Sequence, residues 1–240
     1  MVSKDRNKLA GKHAIVTGGS RGIGKAVAAA YAGEGARVLI CGRNGVDVER
    51  AVDEIRRSGG DIHGLAGDVG LPEDVRRVVL AAMARFGSIE VLVNNASLLG
   101  PRVAIVDYPF SSWVDVMRIN LNGIFLMTQE VLKVMVPRRQ GSIINVSSGV
   151  GRVGKANWGA YVPSKFALEG FTQMLAEETR RYGIRVNALN PGATRTEMRA
   201  AAYPEEDALT LPKPEEITPA FVYLASDESA AVTGKSLDAQ

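Results

Sequence analysis

Tyr161 and Lys165, two residues whose chemistry can be coupled, stand four positions apart. Pro163 is tolerated only in the first turn of a helix, and apolar residues follow at helical spacing, so a helix is predicted to begin here. Both side chains then leave the same helix face. A phenol ordinarily ionises near pH ~10 and a neighbouring ammonium favours the phenolate, which predicts a proton donor and acceptor usable at cellular pH. The competing interpretation is the ordinary start of an amphipathic helix.

The glycine-rich stretch 17–24 is a second candidate site. It follows a short apolar run, 12–17, and precedes a helical pattern, 25–31. Glycines allow positive φ and let backbone N–H groups approach a pyrophosphate, while the helix N-terminus adds partial positive charge. The order of strand, glycine turn and helix therefore predicts dinucleotide binding. Tight strand-to-helix turns also use glycine, which is the structural alternative.

The end of the second predicted strand indicates which dinucleotide is preferred. An NAD-specific fold places an acidic residue there, but this chain has Gly42 followed by Arg43. Arg43 would pair with the 2′-phosphate of NADP, and Arg21 of the glycine turn is expected on its other side. The two arginines favour NADP over NAD, unless both are solvated surface charges. Cys41 is predicted to be a buried strand residue rather than a nucleophile.

Strand and helix patterns alternate along the chain. The predicted strands are 12–17, 36–41, 61–66, 88–94, 141–148, 183–190 and 235–239. The predicted helices are 25–31, 46–57, 73–86, 112–136 with Ser111 as its cap, one that begins at Tyr161, and 215–226. This alternation predicts one α/β domain over 1–240, a doubly wound parallel sheet of the Rossmann type with about seven strands and helices on both faces.

Several polar residues fall at the carboxyl ends of these strands, where such sheets bind ligands. Asp68 either accepts a bond from an adenine amino group or caps the next helix. Asn120 and Gly123 are poor interior helix residues, which predicts a kink whose freed carbonyl holds a water, unless Asn120 simply faces solvent. The segment 193–214 carries Pro204 and Pro212 and is predicted to be a mobile flap over the site.

Composition excludes several classes of protein. Hydrophobic residues make up 46% of 240 residues, which predicts a packed globule. No apolar run approaches the ~18 residues of a membrane span, and residues 1–8 lack a secretory signal. The single cysteine forms no intramolecular disulfide and fits a reducing cytoplasm. The net charge of +3 is scattered, which argues against nucleic acid and favours anionic ligands. No metal site is predicted.

From about Leu9 onward the chain resembles the short-chain dehydrogenase/reductase family. The family's signatures occur in order and at its spacing: Thr17-Gly-x-x-x-Gly22-x-Gly24, Asp68-Val69, Asn94-Asn-Ala96, Asn120, Ser148, Tyr161-x-x-x-Lys165 and Pro191-Gly-x-x-x-Thr196. The stretch 194–199 and the ending 233–240 look like those of one poorly characterised bacterial oxidoreductase subgroup. The family's usual Asn-Asn-Ala-Gly is Asn-Asn-Ala-Ser97 here, and the chain lacks a further C-terminal glycine-rich turn.

The resemblance implies a role for each matched residue. Tyr161 would donate a proton to a carbonyl oxygen that Ser148 polarises, and Lys165 would lower the Tyr161 pKa and hold the nicotinamide ribose. Asn120 would hold a water that relays protons from Lys165. Implied cofactor contacts are Gly18, Ser20, Arg21, Gly22, Ile23, Gly24, Arg43, Asp68, Val69, Asn94, Ala96, Tyr161, Lys165, Pro191, Gly192 and Thr196.

The implied activity is NADP(H)-dependent hydride transfer between the nicotinamide and a carbonyl or secondary alcohol. Within it, the nearest common activity is reduction of a 3-oxoacyl thioester, with acyl carrier protein as partner. Reductases of such substrates often keep a basic residue at two positions. Arg139 occupies the first, but the second holds Tyr182 beside Arg181, so this pattern is half complete. An apolar cleft formed by Trp158, Leu98, Leu99, Val150 and Met198 would suit a small ketone, steroid or quinone equally well. A non-catalytic scaffold or cofactor sensor is the alternative class. Relatives suggest a homodimer or homotetramer that pairs the Asn120 and Tyr161 helices.

Overall fold

A computed structural model describes residues 7–240 of the chain. Seven parallel strands form one sheet in the order β3-β2-β1-β4-β5-β6-β7. The strands are β1 His13–Thr17, β2 Arg37–Gly42, β3 Ile62–Ala66, β4 Val91–Asn94, β5 Gly141–Val146, β6 Ile184–Asn190 and β7 Ser236–Asp238. The helices are α1 Gly22–Gly33, α2 Gly45–Arg57, α3 Pro72–Phe86, α4 Phe110–Met117, α5 Gly123–Arg138, α6 Tyr161–Thr179, α7 Glu197–Ala202 and α8 Thr218–Ala225.

The sheet is covered by helices on both faces, which confirms the predicted doubly wound fold. Successive side chains of a strand point to opposite faces, so Val16 of β1 packs with α1, α2 and α8, while its neighbour Ile15 packs with α3, α5 and α6. The order of strands reverses between β1 and β4. That reversal opens a crevice at the carboxyl edge of the sheet, the place where doubly wound folds bind ligands.

The predicted long helix 112–136 is interrupted. A π-helical segment, Arg118–Asn122, separates α4 from α5, so the predicted irregularity at Asn120 is confirmed. The predicted cap at Ser111 is wrong, because α4 already begins at Phe110 and no side chain caps it. The last helix begins at Thr218 rather than at 215, after a 3-10 turn over Pro214–Ile217.

Cys41 lies in β2, where burial raises the pKa of its thiol to about 12, which confirms an inert interior residue. Within residues 7–240, no cluster of acidic, histidine or cysteine side chains could hold a metal ion. Of the helices in this described part, none is both long and apolar enough to cross a bilayer.

Candidate active site

A cleft of about 990 Å³ runs along the carboxyl edge of the sheet, from the glycine turn after β1 to the start of α6. The predicted site residues that line it are Gly18, Ser20, Arg21, Gly22, Ile23, Arg43, Asp68, Val69, Ala96, Ser148, Tyr161, Lys165, Pro191, Gly192 and Thr196. Gly24, Asn94 and Asn120, which were also predicted to act at the site, are not among the residues that line it.

The glycine turn is shaped to receive an anion. Gly18 and Gly22 have φ values of +62° and +52°, the left-handed region that glycine favours. No side chain caps the N-terminus of α1, so its first-turn N–H groups stay available to a ligand. Gly24 serves packing instead, because a Cβ there would lie 2.3 Å from the Gly18 carbonyl oxygen.

Asn95, rather than Asn94, supports that turn. Its backbone N–H donates to Thr17 Oγ1 at 3.0 Å, and its side-chain amide donates to the Thr17 and Gly18 carbonyls at 2.9 and 3.1 Å. The Asn94 side chain is buried and donates to Asn145 of β5 and to Thr128 of α5. The Asn94–Asn145 hydrogen bond ties β4 to β5, and the predicted cofactor contact of Asn94 stays a prediction.

Tyr161 and Lys165 lie in the first two turns of α6 and are buried. Lys165 Nζ donates to the Val146 carbonyl of β5 at 2.7 Å and lies 5.5 Å from the centroid of the Tyr161 ring. Burial lowers the pKa of Lys165 to about 8, against which the Glu169 carboxylate raises it. The lysine thus keeps its charge near neutral pH with help from an acid one turn along the same helix.

The predicted fall in the Tyr161 pKa is wrong for this structure. Burial raises the pKa of Tyr161 to about 12, while hydrogen bonding to the Ser148 and Ser97 hydroxyls lowers it. Desolvation is the largest effect because the phenolate would be enclosed in the cleft wall, whereas Lys165 donates to the Val146 carbonyl. The groups that oppose this rise at the phenol are the two serine hydroxyls.

Asn120 is fully buried, so the solvent-facing alternative is wrong. Its Oδ1 accepts from the Leu98 N–H at 2.7 Å, and its Nδ2 donates to the Leu98 carbonyl at 2.9 Å and to Ser164 Oγ at 3.1 Å. The side chain therefore ties the loop after β4 to α6. The predicted water on a freed helix carbonyl stays a prediction.

The two arginines assigned to the 2′-phosphate occupy different surroundings. Arg43 is exposed at the end of β2 and lines the cleft. Arg21 is also on the cleft but pairs with Glu197 at the start of α7, in the predicted flap. Its role at the phosphate therefore requires that this exposed ion pair be exchanged for the ligand.

Asp68 lines the cleft just past β3. Its carboxylate accepts from the Gly70 N–H at 2.8 Å and from Arg118 of the π-helical segment at 3.0 Å. The alternative of a helix cap is wrong, because α3 begins after Leu71 with no side-chain cap. The predicted adenine contact stays a prediction.

The sequence matches the short chain dehydrogenase family over residues 12–207. The chain belongs to this family. It is 38% identical over 234 residues to the uncharacterised oxidoreductase YciK of Escherichia coli K12, spanning 94% of this chain and 90% of that one. It is 37% identical over 237 residues to the 3-oxoacyl-[acyl-carrier-protein] reductase FabG of Vibrio cholerae, spanning 95% and 96%. A short chain dehydrogenase of Shigella flexneri complexed with NADP superimposes with a TM-score of 0.93 at 37% identity, covering 98% of this chain and 99% of that one.

Membership of the short chain dehydrogenase family makes this chain an oxidoreductase. The structure adds three residues to the site that the sequence analysis did not predict. Glu169 is buried, accepts from Ser147 and supports the charge of Lys165. Gln240 donates to the Pro191 carbonyl at 2.6 Å and to the Ala193 carbonyl at 3.2 Å. Ser97, noted only as a departure from the family pattern, faces Tyr161. The position of Glu169 four residues after Lys165 was the one available signal.

Proposed function

We propose that the protein is an NADP(H)-dependent oxidoreductase that interconverts a carbonyl compound and its secondary alcohol. The observation that carries this is a single cleft lined by the glycine turn, Arg43, Ser148, Tyr161 and Lys165. The uncapped N-terminus of α1 and the positive-φ glycines fit a pyrophosphate, and Gly42 offers no carboxylate to repel a 2′-phosphate. The NADP complex of the Shigella relative supports the same cofactor.

The glycine turn, Arg43 and Lys165 would hold NADPH, which when bound would supply the hydride for the carbonyl carbon of the substrate. Tyr161 gives its phenolic proton to the carbonyl oxygen, so the products are an alcohol and the oxidised cofactor. Ser148 donates a hydrogen bond to that oxygen as negative charge develops. Lys165, whose Nζ lies 5.5 Å from the centroid of the Tyr161 ring, would hold the nicotinamide ribose. Asn120 acts as a positioning residue by holding the Leu98 loop.

A 3-oxoacyl thioester on acyl carrier protein is the second candidate substrate. The FabG relative supports it. Arg139 directly follows α5 and donates to the Arg181 carbonyl, and the Arg181 guanidinium lies 4.7 Å from the Tyr182 ring. This places two basic side chains together, which suits an acidic carrier protein.

We also infer a homodimer or homotetramer in the cytoplasm. The apolar side chains Phe110, Val114, Phe125, Phe166 and Met174 are exposed on α4, α5 and α6. Large exposed apolar side chains on neighbouring helices are typical of an interface. The lone, buried cysteine suits a reducing compartment.

The test is NADPH oxidation by the purified protein with a panel of neutral ketones, oxo acids and 3-oxoacyl thioesters, each with and without carrier protein. A reductase consumes NADPH with at least one of these carbonyls. A well-folded protein that binds NADPH and reduces none of them is the scaffold or sensor of the competing class.

A further inference from the structure

The segment 236–240 bonds a turn of the cleft wall that precedes it by more than 40 residues. This turn begins at Pro191, directly after β6, and lines the cleft. The side-chain amide of Gln240 donates from Nε2 to the Pro191 carbonyl at 2.6 Å and to the Ala193 carbonyl at 3.2 Å. The same nitrogen lies 3.3 Å from the Thr194 hydroxyl, so one amide spans the whole turn.

Gly192 is what admits this amide to the turn. Its φ of +71° lies in the left-handed region that glycine favours. A Cβ at this position would lie 2.7 Å from both the amide carbon and the amide nitrogen of the Gln240 side chain. The Gly192 N–H is turned to the other side, where it donates to Asn190 Oδ1 at 3.1 Å. The backbone at Gly192 therefore lies in close contact with the amide that bonds its neighbours.

Asp238 anchors the segment that carries Gln240. Its carboxylate accepts from Asn190 Nδ2 at 2.8 Å and from Arg152 at 3.0 Å. Arg152 also donates to Ser236 Oγ at 2.9 Å and to the Leu237 carbonyl at 3.0 Å. The backbone before Gln240 is thus held by a network of charged and neutral hydrogen bonds, which presents the amide to the turn from a fixed place.

Arg152 connects the same segment to the catalytic serine. It directly follows the 3-10 turn Gly149–Gly151, which Ser148 begins. The Gly151 N–H donates to the Ser148 carbonyl at 2.8 Å. The segment 236–240 therefore bonds two turns at once, the one after β5 that carries Ser148 and the one after β6.

The turn after β6 lies at the end of the cleft that the nicotinamide half of the cofactor must reach. The glycine turn suits the pyrophosphate and Arg43 suits the 2′-phosphate, so the other half extends toward Tyr161 and Lys165. Strand β6 pairs with β5, which places its carboxyl end beside Ser148 at that same end. A turn that receives a ring there by shape and by backbone hydrogen bonds has to keep one conformation.

We propose that Gln240 is a positioning residue for the nicotinamide end of the cofactor site, because its amide holds the turn 191–194 in the conformation that receives the nicotinamide half of NADP(H). This rests on the proposed oxidoreductase function and adds to it a residue that does not itself line the cleft. The carbonyls of Pro191 and Ala193 can only accept a hydrogen bond. The role therefore requires a donor at position 240, which an apolar or an anionic side chain does not supply.

The test compares two ligands by calorimetry on the purified protein. NADP⁺ is the full cofactor, and adenosine 2′,5′-bisphosphate keeps the adenosine end but lacks the nicotinamide half. Gln240→Leu removes the donor, while Gln240→Glu keeps the shape and presents a carboxylate to the two carbonyls near neutral pH. Both variants should bind NADP⁺ roughly three- to tenfold more weakly than the wild type. Both should bind the bisphosphate within roughly twofold of the wild type.

Gln140→Leu is the matched control. Gln140 is exposed, lies outside the cleft and precedes β5 at the opposite edge of the sheet. The same substitution there should change the affinity for neither ligand.

Acid separates the donor from the shape of the side chain. A glutamic acid side chain has a pKa of about 4.3 in water, and surrounding carbonyl acceptors favour its protonated form, which can donate. The NADP⁺ deficit of Gln240→Glu relative to the wild type should therefore shrink as the pH falls from about 7.5 to about 5, while that of Gln240→Leu persists. Arg152 and Asn190 hold the pKa of Asp238 below its usual value, so the charged pair of Asp238 and Arg152 stays unchanged over this range.

Selective loss of NADP⁺ affinity, with recovery of Gln240→Glu in acid, upholds the positioning role. Unchanged NADP⁺ affinity in both variants overturns it, because the amide is then dispensable. Equal loss of NADP⁺ and the bisphosphate overturns it as well, since the side chain then only supports the fold. A deficit that is the same in the two variants at every pH shows that the donor is not what matters, and it also overturns the role.

Turnover of the carbonyl panel with NADPH separates this inference from the function on which it rests. Selective loss of NADP⁺ in the variants of a protein that reduces no carbonyl upholds the role of Gln240 and overturns the reductase. A wild type that reduces a carbonyl, with both variants binding NADP⁺ as it does, overturns the role of Gln240 and upholds the reductase. A wild type that binds neither ligand overturns both.

Discussion

The phenol of Tyr161 must ionise in surroundings that oppose ionisation. Burial raises its pKa to about 12, and the hydroxyls of Ser148 and Ser97 are the groups that lower it. Ser148 is a family residue, but Ser97 stands where the family has glycine. This chain therefore has one more hydroxyl at the phenol than its family pattern supplies.

Ser97→Ala tests that contribution. Loss of the hydroxyl should raise the pKa of Tyr161, so the phenolate needed to accept a proton during alcohol oxidation should form only at higher pH. We expect the pH profile of kcat/KM for oxidation to shift upward with modest change in NADP⁺ affinity. Ser111→Ala, at an exposed position outside the cleft, serves as control. A profile that keeps its position while its height falls would mean that Ser97 only shapes the cleft.

Residue roles differ in how far the sequence predicts them. The Tyr161 and Lys165 pair can be read from spacing, since helix geometry places both side chains on one face. Whether Lys165 or desolvation controls the phenol depends on burial, which the motif does not encode. The ion pair of Arg21 with Glu197 joins residues 176 positions apart, so no local sequence pattern predicts it.

At the scale of elements, the π-helical segment Arg118–Asn122 directs Asn120 inward to hold the loop after β4. Asn120→Leu should leave the N–H and the carbonyl of Leu98 without partners. An unpaired buried group costs about 1–3 kcal/mol, so the free energy of unfolding should fall by about 2–5 kcal/mol, with turnover reduced as well. Urea unfolding monitored by circular dichroism measures the change in the free energy of unfolding.

Asn122→Leu is the matched control, because it lies in the same segment but is exposed. Its effect should stay within about 0.5 kcal/mol. Equal destabilisation by both variants would show that the segment, rather than the Asn120 hydrogen bonds, is sensitive to leucine.

The end of β2 should decide cofactor choice. Gly42→Asp introduces a charge that repels the 2′-phosphate, and Arg43→Leu removes a bond worth about 1.5–3 kcal/mol, or roughly ten- to a hundredfold in affinity. The double variant should prefer NADH. A Cβ at position 42 would lie 3.2 Å from Val48 Cγ2, so Gly42→Ala controls for packing alone. Titration of NADPH and NADH by protein fluorescence measures both affinities in the wild type and the double variant. Equal affinities of the wild type for the two cofactors would mean that Arg43 is only a surface charge.

The elements were largely predictable because their signals are local. Alternating strand and helix patterns predict the parallel sheet, and the Asn120 and Gly123 pair predicts the break between α4 and α5. The start of α4 was not predictable from Ser111, since Phe110 already lies in the helix and no side chain caps it. Mobility of the segment 193–214 stays a prediction, although contacts through Arg21 and Arg102 tie it to the cleft wall.

For the whole molecule, the exposed apolar side chains of α5 and α6 predict association between copies. Phe125→Glu and Phe166→Glu should each shift the protein toward monomer in sedimentation analysis, because a charge in an apolar interface is costly. Leu80→Glu on α3 is the matched control, since Leu80 is also exposed but lies on another helix. A wild type that sediments as a monomer would contradict the oligomer.

Tyr161→Phe isolates the proton transfer assigned to the phenol, since it keeps the ring and removes the transferable proton. With the best carbonyl from the panel, NADPH oxidation should slow by roughly 10²–10⁴, while NADPH affinity measured by fluorescence stays close to that of the wild type. Near-normal turnover in a well-folded Tyr161→Phe protein would contradict the account, because some other group would then supply the proton.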